Sequence, residues 1–257
     1  VTIDGGYGND SVENWGSSVT INTGEGNDSV KNEGSSVTIT TGEGNDSIRN
    51  YGSKVTISSG KGNDSIYNNC LREGDGSIYY WNDDKGSNVL FNYTAGDGND
   101  VIYGFKANST LSIAGGVYAT TVKSGNDVIV SVGDGKISLI GAASLSTVNI
   151  VETPVTISNS KSNVTLTATN ANDTISNTAD KVSIQALRGN DSINNKAAQV
   201  SIDGGDGNDR ITNTSKTVTI TGGDGADSIS NQSDNVTISG FTGNDSIYNT
   251  GSNVKII

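Results

Sequence analysis

VTIDGGYGNDSVENWGSSVTINTGEGNDSVKNEGSSVTITTGEGNDSIRN, residues 1–50, repeats itself every 18 residues. VTI begins at Val1, Val19, Val37 and Val55, and GND at Gly8, Gly26, Gly44 and Gly62. Such a unit is too short for a helical hairpin, and its apolar residues lack a 3.6-residue period. Two short strands joined by two turns fit it. Val12, Val30, Ile48 and Ile66 each supply one inward aliphatic in the first strand. Val19 with Ile21, Val37 with Ile39 and Val55 with Ile57 supply the second strand, with Thr on the opposite face because side chains alternate. A single coil cannot bury so few aliphatics, whereas coils stacked about 4.8 Å apart build a continuous narrow core. The pattern predicts an all-β parallel β-solenoid with 18-residue coils and right-handed crossovers.

The period returns after Pro154, with valines at 164, 182, 200, 218, 236 and 254. Asp173, Asp191, Asp209, Asp227 and Asp245 recur with it, each followed four residues later by Asn, as Asp10 is by Asn14. The Asn14 series predicts a coil-to-coil hydrogen-bond ladder. Between the blocks, Asp100 lies 36 residues, two periods, after Asp64, so 69–97 reads as a degraded or decorated coil. Beyond Phe105 the register is lost. STLSIAGG and SGNDVIVSVGDGKISLIGAA alternate apolar and polar residues around Gly-rich turns, which predicts antiparallel hairpins. The expected organisation is a first solenoid block over 1–105, an antiparallel cap-like segment over 106–154 and a second solenoid block over 155–257.

Composition narrows the function. Hydrophobic residues make up 32% of the 257, below the roughly 45–50% of ordinary globular domains. Sixteen basic against 28 acidic residues give a net charge of −12, which argues against a nucleic-acid partner. No apolar run approaches the roughly 18 residues of a membrane span. The chain has no His and one Cys, Cys70. Ser-His-Asp and Cys-His catalysis, imidazole metal sites, a cysteine zinc site and an internal disulfide framework are thereby excluded. With no initiator Met and no signal peptide, the sequence is expected to be a segment of a longer protein.

The turns carry a more specific pattern. GGYGNDSVE (5–13), GGDGNDRIT (204–212) and GGDGADSIS (222–230) match G-G-x-G-x-D-x-U-x at every defined position. TGEGNDSVK, TGEGNDSIR, SGKGNDSIY and AGDGNDVIY lose only the first Gly, while ATNANDTIS, QALRGNDSI and GFTGNDSIY are weaker. The chain thus resembles the RTX, or haemolysin-type calcium-binding nonapeptide, family. That resemblance implies calcium held between successive turns, with carboxylates from Asp10, Asp28, Asp46, Asp64, Asp100, Asp191, Asp209, Asp227 and Asp245. Asp173 is the weakest position because its turn lacks the glycines. The physics agrees: a column of stacked Asp repels itself without cations, and Ca2+ takes 6–8 oxygens from carboxylates and carbonyls. The second half-coil has Val19 where the motif wants Asp, so calcium is expected along one edge only. The competing reading is an Asx ladder without metal.

The resemblance implies a secreted, extracellular or cell-surface bacterial protein, and the reading is a calcium-stabilised structural and adhesive module without catalysis. Trp15, Tyr51 and Tyr67 are expected at the surface. Tyr79, Tyr80 and Trp81 interrupt the repeat and are the candidate contact for a host or matrix protein or a carbohydrate. Two alternatives stand beside this. One is ice binding by an outward Thr face at Thr20, Thr38 and Thr56. The other is a polysaccharide-active β-helix enzyme, disfavoured because the acids are repetitive and a site normally breaks its repeat.

Overall fold

The computed structural model describes residues 1–73, 77–80 and 85–257. They form two compact units: Val1–Gly115 with Ala119–Val151, and Gly116–Tyr118 with Glu152–Ile257.

In the first unit each 18-residue repeat makes one coil with a strand on each of two sheets. Thr2–Asp4, Thr20–Glu25, Thr38–Glu43 and Thr56–Lys61 stack in parallel on one, and Ser11–Asn14, Ser29–Asn32, Ser47–Asn50 and Ser65–Asn68 on the other. The register is a clean 18-residue step, with Ile21 opposite Ile39 and Val30 opposite Ile48. Ile21, Ile39, Ile48 and Ile57 are completely buried. The alternation read from the sequence therefore sets which face closes on the core.

The second unit repeats this plan with two parallel sheets. Thr156–Asn159 leads one through to Ser246–Asn249, and Thr165–Thr167 leads the other through to Lys255–Ile256. Ile175, Ile193, Ile211 and Ile229 face Ile184, Ile202, Ile220 and Ile238 across a single core.

The segment after Phe105 contains the expected antiparallel strands. Ala119–Ser124, Asp127–Val132 and Gly135–Ile140 form a meander. Its last strand adds in parallel to Asn99–Tyr103, extending the solenoid sheet. Thr110–Ala114, by contrast, pairs in parallel with Leu90–Thr94.

The 36-residue spacing from Asp64 to Asp100 has a different origin from the one its length suggests. Ile66 pairs directly with Ile102, and the Asp64 N–H donates to Asp100 Oδ1 at 3.0 Å, so the two acids are immediate neighbours in the stack. One coil, enlarged by the antiparallel pair Cys70–Arg72 and Ile78–Tyr80, fills the space of one ordinary repeat. Gly86 stands where an uninterrupted repeat would place residue 70, its carbonyl accepting from Asn68 Nδ2 at 2.9 Å.

The edge opposite the GND turns is held by the expected Asn ladder. Asn32 is fully buried. Its Nδ2 donates to Gly34 O and Asn50 Oδ1, both at 2.8 Å, and its Oδ1 accepts from Gly34 N–H and from Asn14 Nδ2. The same arrangement repeats in the second unit from Asn159 to Asn249. Just before each core valine the chain turns through a left-handed residue that is mostly not Gly: Ser18, Ser36, Lys54, Gln199 and Thr217 all have φ between 57 and 60°.

Candidate metal columns

Each GND turn brings three neighbouring residues to the opposite edge, and each has a distinct task. The Gly is extended into positive φ, 137° at Gly44, and a Cβ there would stand 2.0 Å from the Gly26 carbonyl oxygen. Only a residue without Cβ lets successive turns approach this closely. The Asn accepts from the coil that follows: Asn27 N–H donates to Asn9 Oδ1 at 2.8 Å, and Asn45 N–H to Asn27 Oδ1 at 2.7 Å. The Asp accepts from the coil that precedes, as Asp10 N–H donates to Asp28 Oδ1 and Asp28 N–H to Asp46 Oδ1, each at 2.8 Å. Adjacent side chains thus bond in opposite directions along the stack. Sequence reasoning missed the role of the Asn9 series, although its signal, an Asn beside nearly every motif Asp, was present.

The sequence-selected acids fall into one column per unit. Asp10, Asp28, Asp46, Asp64 and Asp100 are linked in the first. Asp191, Asp209, Asp227 and Asp245 are linked in the second, with Asp173 ahead of them. Asp28, Asp46, Asp64, Asp191, Asp209 and Asp227 are no more than 2% exposed. One oxygen of each is used by the backbone. The other, Oδ2, is buried without a hydrogen-bond partner in Asp10, Asp28, Asp46, Asp64, Asp191, Asp209 and Asp227. Burial, reinforced by like charge along the column, pushes Asp64 and Asp209 up to about 6 and Asp191 up to about 7.

Two acids differ. Asp100 Oδ2 accepts from the Ser59 hydroxyl at 3.3 Å, and burial raises its pKa to about 7. Asp173 is satisfied by protein alone: its carboxylate accepts from Val155 N–H and Thr169 N–H at 2.7 Å each, and from Thr169 Oγ1. Here the missing motif glycine is replaced by a hydroxyl residue that occupies the carboxylate.

Three of the orphaned oxygens, those of Asp10, Asp209 and Asp227, lie close to main-chain oxygens. Beside Gly204 the Gly222 carbonyl and Asp209 Oδ2 lie 2.3 and 2.4 Å from one point, the position of an added Cβ. Beside Gly5, Thr23 O and Asp10 Oδ2 crowd a common point at 2.8 and 2.5 Å; beside Gly222, Gly240 O and Asp227 Oδ2 do so at 2.9 and 2.2 Å. A bare carboxylate oxygen facing a carbonyl of the next coil has no proton to share and is electrostatically unfavourable. A hard divalent cation resolves it, since such ions are bound by mixed carboxylate and carbonyl oxygens. Among the described residues no three acidic or Cys side chains converge on one point, so backbone carbonyls are needed to complete any site. The donor chemistry fits calcium.

The family model of the RTX calcium-binding nonapeptide repeat, a four-copy unit, matches residues 92–108, 203–238 and 221–253. The chain carries RTX repeats. No curated protein matches it. The long RTX match falls where the first motif position is Gly, at Gly204, Gly222 and Gly240. In the first unit Thr23, Thr41 and Ser59 hold that position, buried, with Thr41 Oγ1 donating to Ser59 O at 2.9 Å. Where the second motif Gly of the RTX turn is absent, the backbone keeps its shape: Leu187 and Phe241 sit at φ 76 and 78°. The stacked neighbours impose the turn even on residues that resist it.

The aromatic expectations divide. Trp15, Tyr79 and Tyr80 are exposed, at 63, 57 and 50%. Tyr51 is half-buried. Tyr67 is buried rather than exposed, because its ring stacks on Tyr103 of the next coil at 4.9 Å. Trp81 lies outside the described residues.

Proposed function

We propose that this protein is a calcium-stiffened structural and adhesive module of an extracellular or cell-surface protein, without catalysis of its own. The observation that carries the reading is the file of buried Asp Oδ2 atoms with no hydrogen-bond partner, set against main-chain oxygen at Asp10, Asp209 and Asp227. In this reading Ca2+ lies between successive turns and takes Asp10, Asp28, Asp46, Asp64 and Asp100 in the first unit. It takes Asp191, Asp209, Asp227 and Asp245 in the second. The ion makes stacking of like-charged coils favourable, so the module is rigid where calcium is abundant and weakened where it is scarce. Millimolar extracellular calcium suits such sites.

Adhesion is assigned to the interruption of the repeat, where Tyr79 and Tyr80 are exposed and Trp81 follows in sequence, with a protein or carbohydrate as partner. Ice binding is less well supported: beside the row Thr2, Thr20, Thr38 and Thr56, the next outward row runs Asp4, Asn22, Thr40 and Ser58 and offers no regular second file of Thr. A calcium titration followed by thermal unfolding tests the proposal. The melting temperature should rise with free Ca2+, and Mg2+ should substitute poorly because it demands tight octahedral geometry. A melting curve indifferent to chelator would reduce both columns to Asx ladders.

A further inference from the structure

The two units differ at the residue five positions before the column Asp. In the second unit it is Gly204 before Asp209 and Gly222 before Asp227; in the first it is Thr23 before Asp28 and Thr41 before Asp46. Glycine brings no donor. Beside Gly204 the Gly222 carbonyl and Asp209 Oδ2 crowd so closely that an added Cβ would lie 2.3 and 2.4 Å from them. The threonines instead put a proton at the corresponding carbonyl. Thr23 Oγ1 donates to Thr41 O at 3.2 Å, and Thr41 Oγ1 donates to Ser59 O at 2.9 Å. Both threonines are completely buried, so no water stands ready to replace either bond.

A hydroxyl has one proton to give. Here it goes to the carbonyl, and Asp28 and Asp46 Oδ2 are left without a hydrogen-bond partner. The same hydroxyl also bears on the carboxylate: burial raises the Asp46 pKa, and Thr41 close by works against that rise. Carbonyl and carboxylate are the two oxygens a hard cation would take. In a threonine turn the ion must therefore compete with a hydroxyl proton for both, whereas in a glycine turn it has no such rival. Asp10 sorts with the glycine turns, because Gly5 precedes it and Thr23 O lies beside its Oδ2.

We infer that this residue sorts the turns into two calcium classes: glycine turns at Asp10, Asp209 and Asp227 that bind tightly, and hydroxyl turns at Asp28 and Asp46 that bind more weakly. This rests on the calcium reading proposed above and adds to it the order of filling. Binding at a hydroxyl turn first breaks one buried hydrogen bond, worth about threefold to tenfold in affinity. The glycine turns of the second unit thus stiffen at lower calcium than the Thr23 and Thr41 coils of the first, and the chain responds to calcium in two steps.

The test is a calcium titration of the full chain followed residue by residue through amide NMR. Asp191 and Asp209 N–H donate to the Oδ1 of Asp209 and Asp227, and Asp10 and Asp28 N–H to the Oδ1 of Asp28 and Asp46, so each amide reads one carboxylate. The Asp191 and Asp209 signals should reach half-change at free Ca2+ about threefold to tenfold lower than the Asp10 and Asp28 signals. Thr41→Gly, which installs the second unit's residue, should lower the Asp28 midpoint by that factor. Thr41→Ser, which keeps the hydroxyl, should leave it in place. Coincident midpoints in the wild-type chain overturn the inference. So does an Asp28 midpoint that Thr41→Gly leaves unchanged or raises, since the hydroxyl would then be a bystander or a ligand. Thr41→Ser acting like Thr41→Gly overturns it too, by assigning the effect to bulk. If all four amides ignore calcium, the calcium reading itself fails; saturable shifts with one common midpoint leave that reading standing and remove only the two classes.

Discussion

Replacing Asp209 by Asn should change stability in opposite directions with and without calcium. Asn keeps the Oδ1 that accepts the Asp191 N–H at 2.8 Å. It replaces the orphaned Oδ2 by an NH2 group placed where the Gly222 carbonyl also points. In chelator the change removes a buried charge lying between Asp191 and Asp227, whose burial has pushed its pKa up to about 6. One unit of such a shift corresponds to about 1.4 kcal/mol; after screening at the turn, a gain on the order of 1 kcal/mol is expected. With calcium at 100 times its dissociation constant, loss of one site costs about 2.7 kcal/mol, and more if two neighbouring sites share this carboxylate. For a unit of this size 1 kcal/mol corresponds to roughly 4–8 °C. The melting temperature should therefore rise by several degrees in chelator and fall by about 10 °C or more in calcium. Asp173→Asn is the control. Its carboxylate already accepts three protein donors, and an amide would set donor against donor, costing about 1–3 kcal/mol in either condition. The same sign of effect for Asp209→Asn in calcium and in chelator would refute the metal assignment.

The opposite edge should behave independently of calcium. Asn32→Ala deletes four hydrogen bonds and strands their buried partners, so about 3 kcal/mol should be lost in urea unfolding whether or not the ion is present. Thr217 is a β-branched residue at φ 60°; Thr217→Asn, which tolerates that conformation better, should raise the urea midpoint by about 1 kcal/mol of stability. Without calcium, Asp64, Asp100, Asp191 and Asp209 hold their protons up to about 6–7 in the folded chain. Their folded pKa values lie above the unfolded one, so stability is highest below about pH 4 and falls as the pH rises to 7. With calcium the ion holds the carboxylates charged and acidification should instead destabilise; melting curves from pH 4 to 8 in both conditions would distinguish the two.

The parallel stack was legible because an 18-residue period and strand alternation leave little choice about which side chains face inward. Val30 and Ile48 had one partner spacing and one face, and the structure uses both. What the period could not reveal is arithmetic that happens to coincide with it. The 36 residues from Asp64 to Asp100 equal two repeats, yet they belong to one coil whose hairpin loops out and returns at Gly86 to the Asn68 ladder. Tyr67 was misjudged for a related reason. In an uninterrupted repeat its position faces outward, as Glu13 and Lys31 do on either side of one register step. Beside the enlarged coil it gains Tyr103 as a stacking partner and the coil itself as cover.

The calcium motif was legible as a pattern, but its working difference between repeats resides in a single atom. Asp173 and Asp209 occupy equivalent turns, and the Oδ1 of each accepts from the backbone N–H of the residue 18 positions earlier, Val155 and Asp191. At Asp173 a Thr hydroxyl and amide fill the second oxygen; at Asp209 glycine leaves it bare against a carbonyl. In the proposed reading, a turn that satisfies its own carboxylate needs no ion to stack, and a turn that leaves it bare should stack well only when an ion is supplied. On the calcium reading proposed above, the second unit opens on a self-sufficient turn at Asp173 and continues with turns that take a cation, which would place metal-independent structure where that unit's Asp column begins.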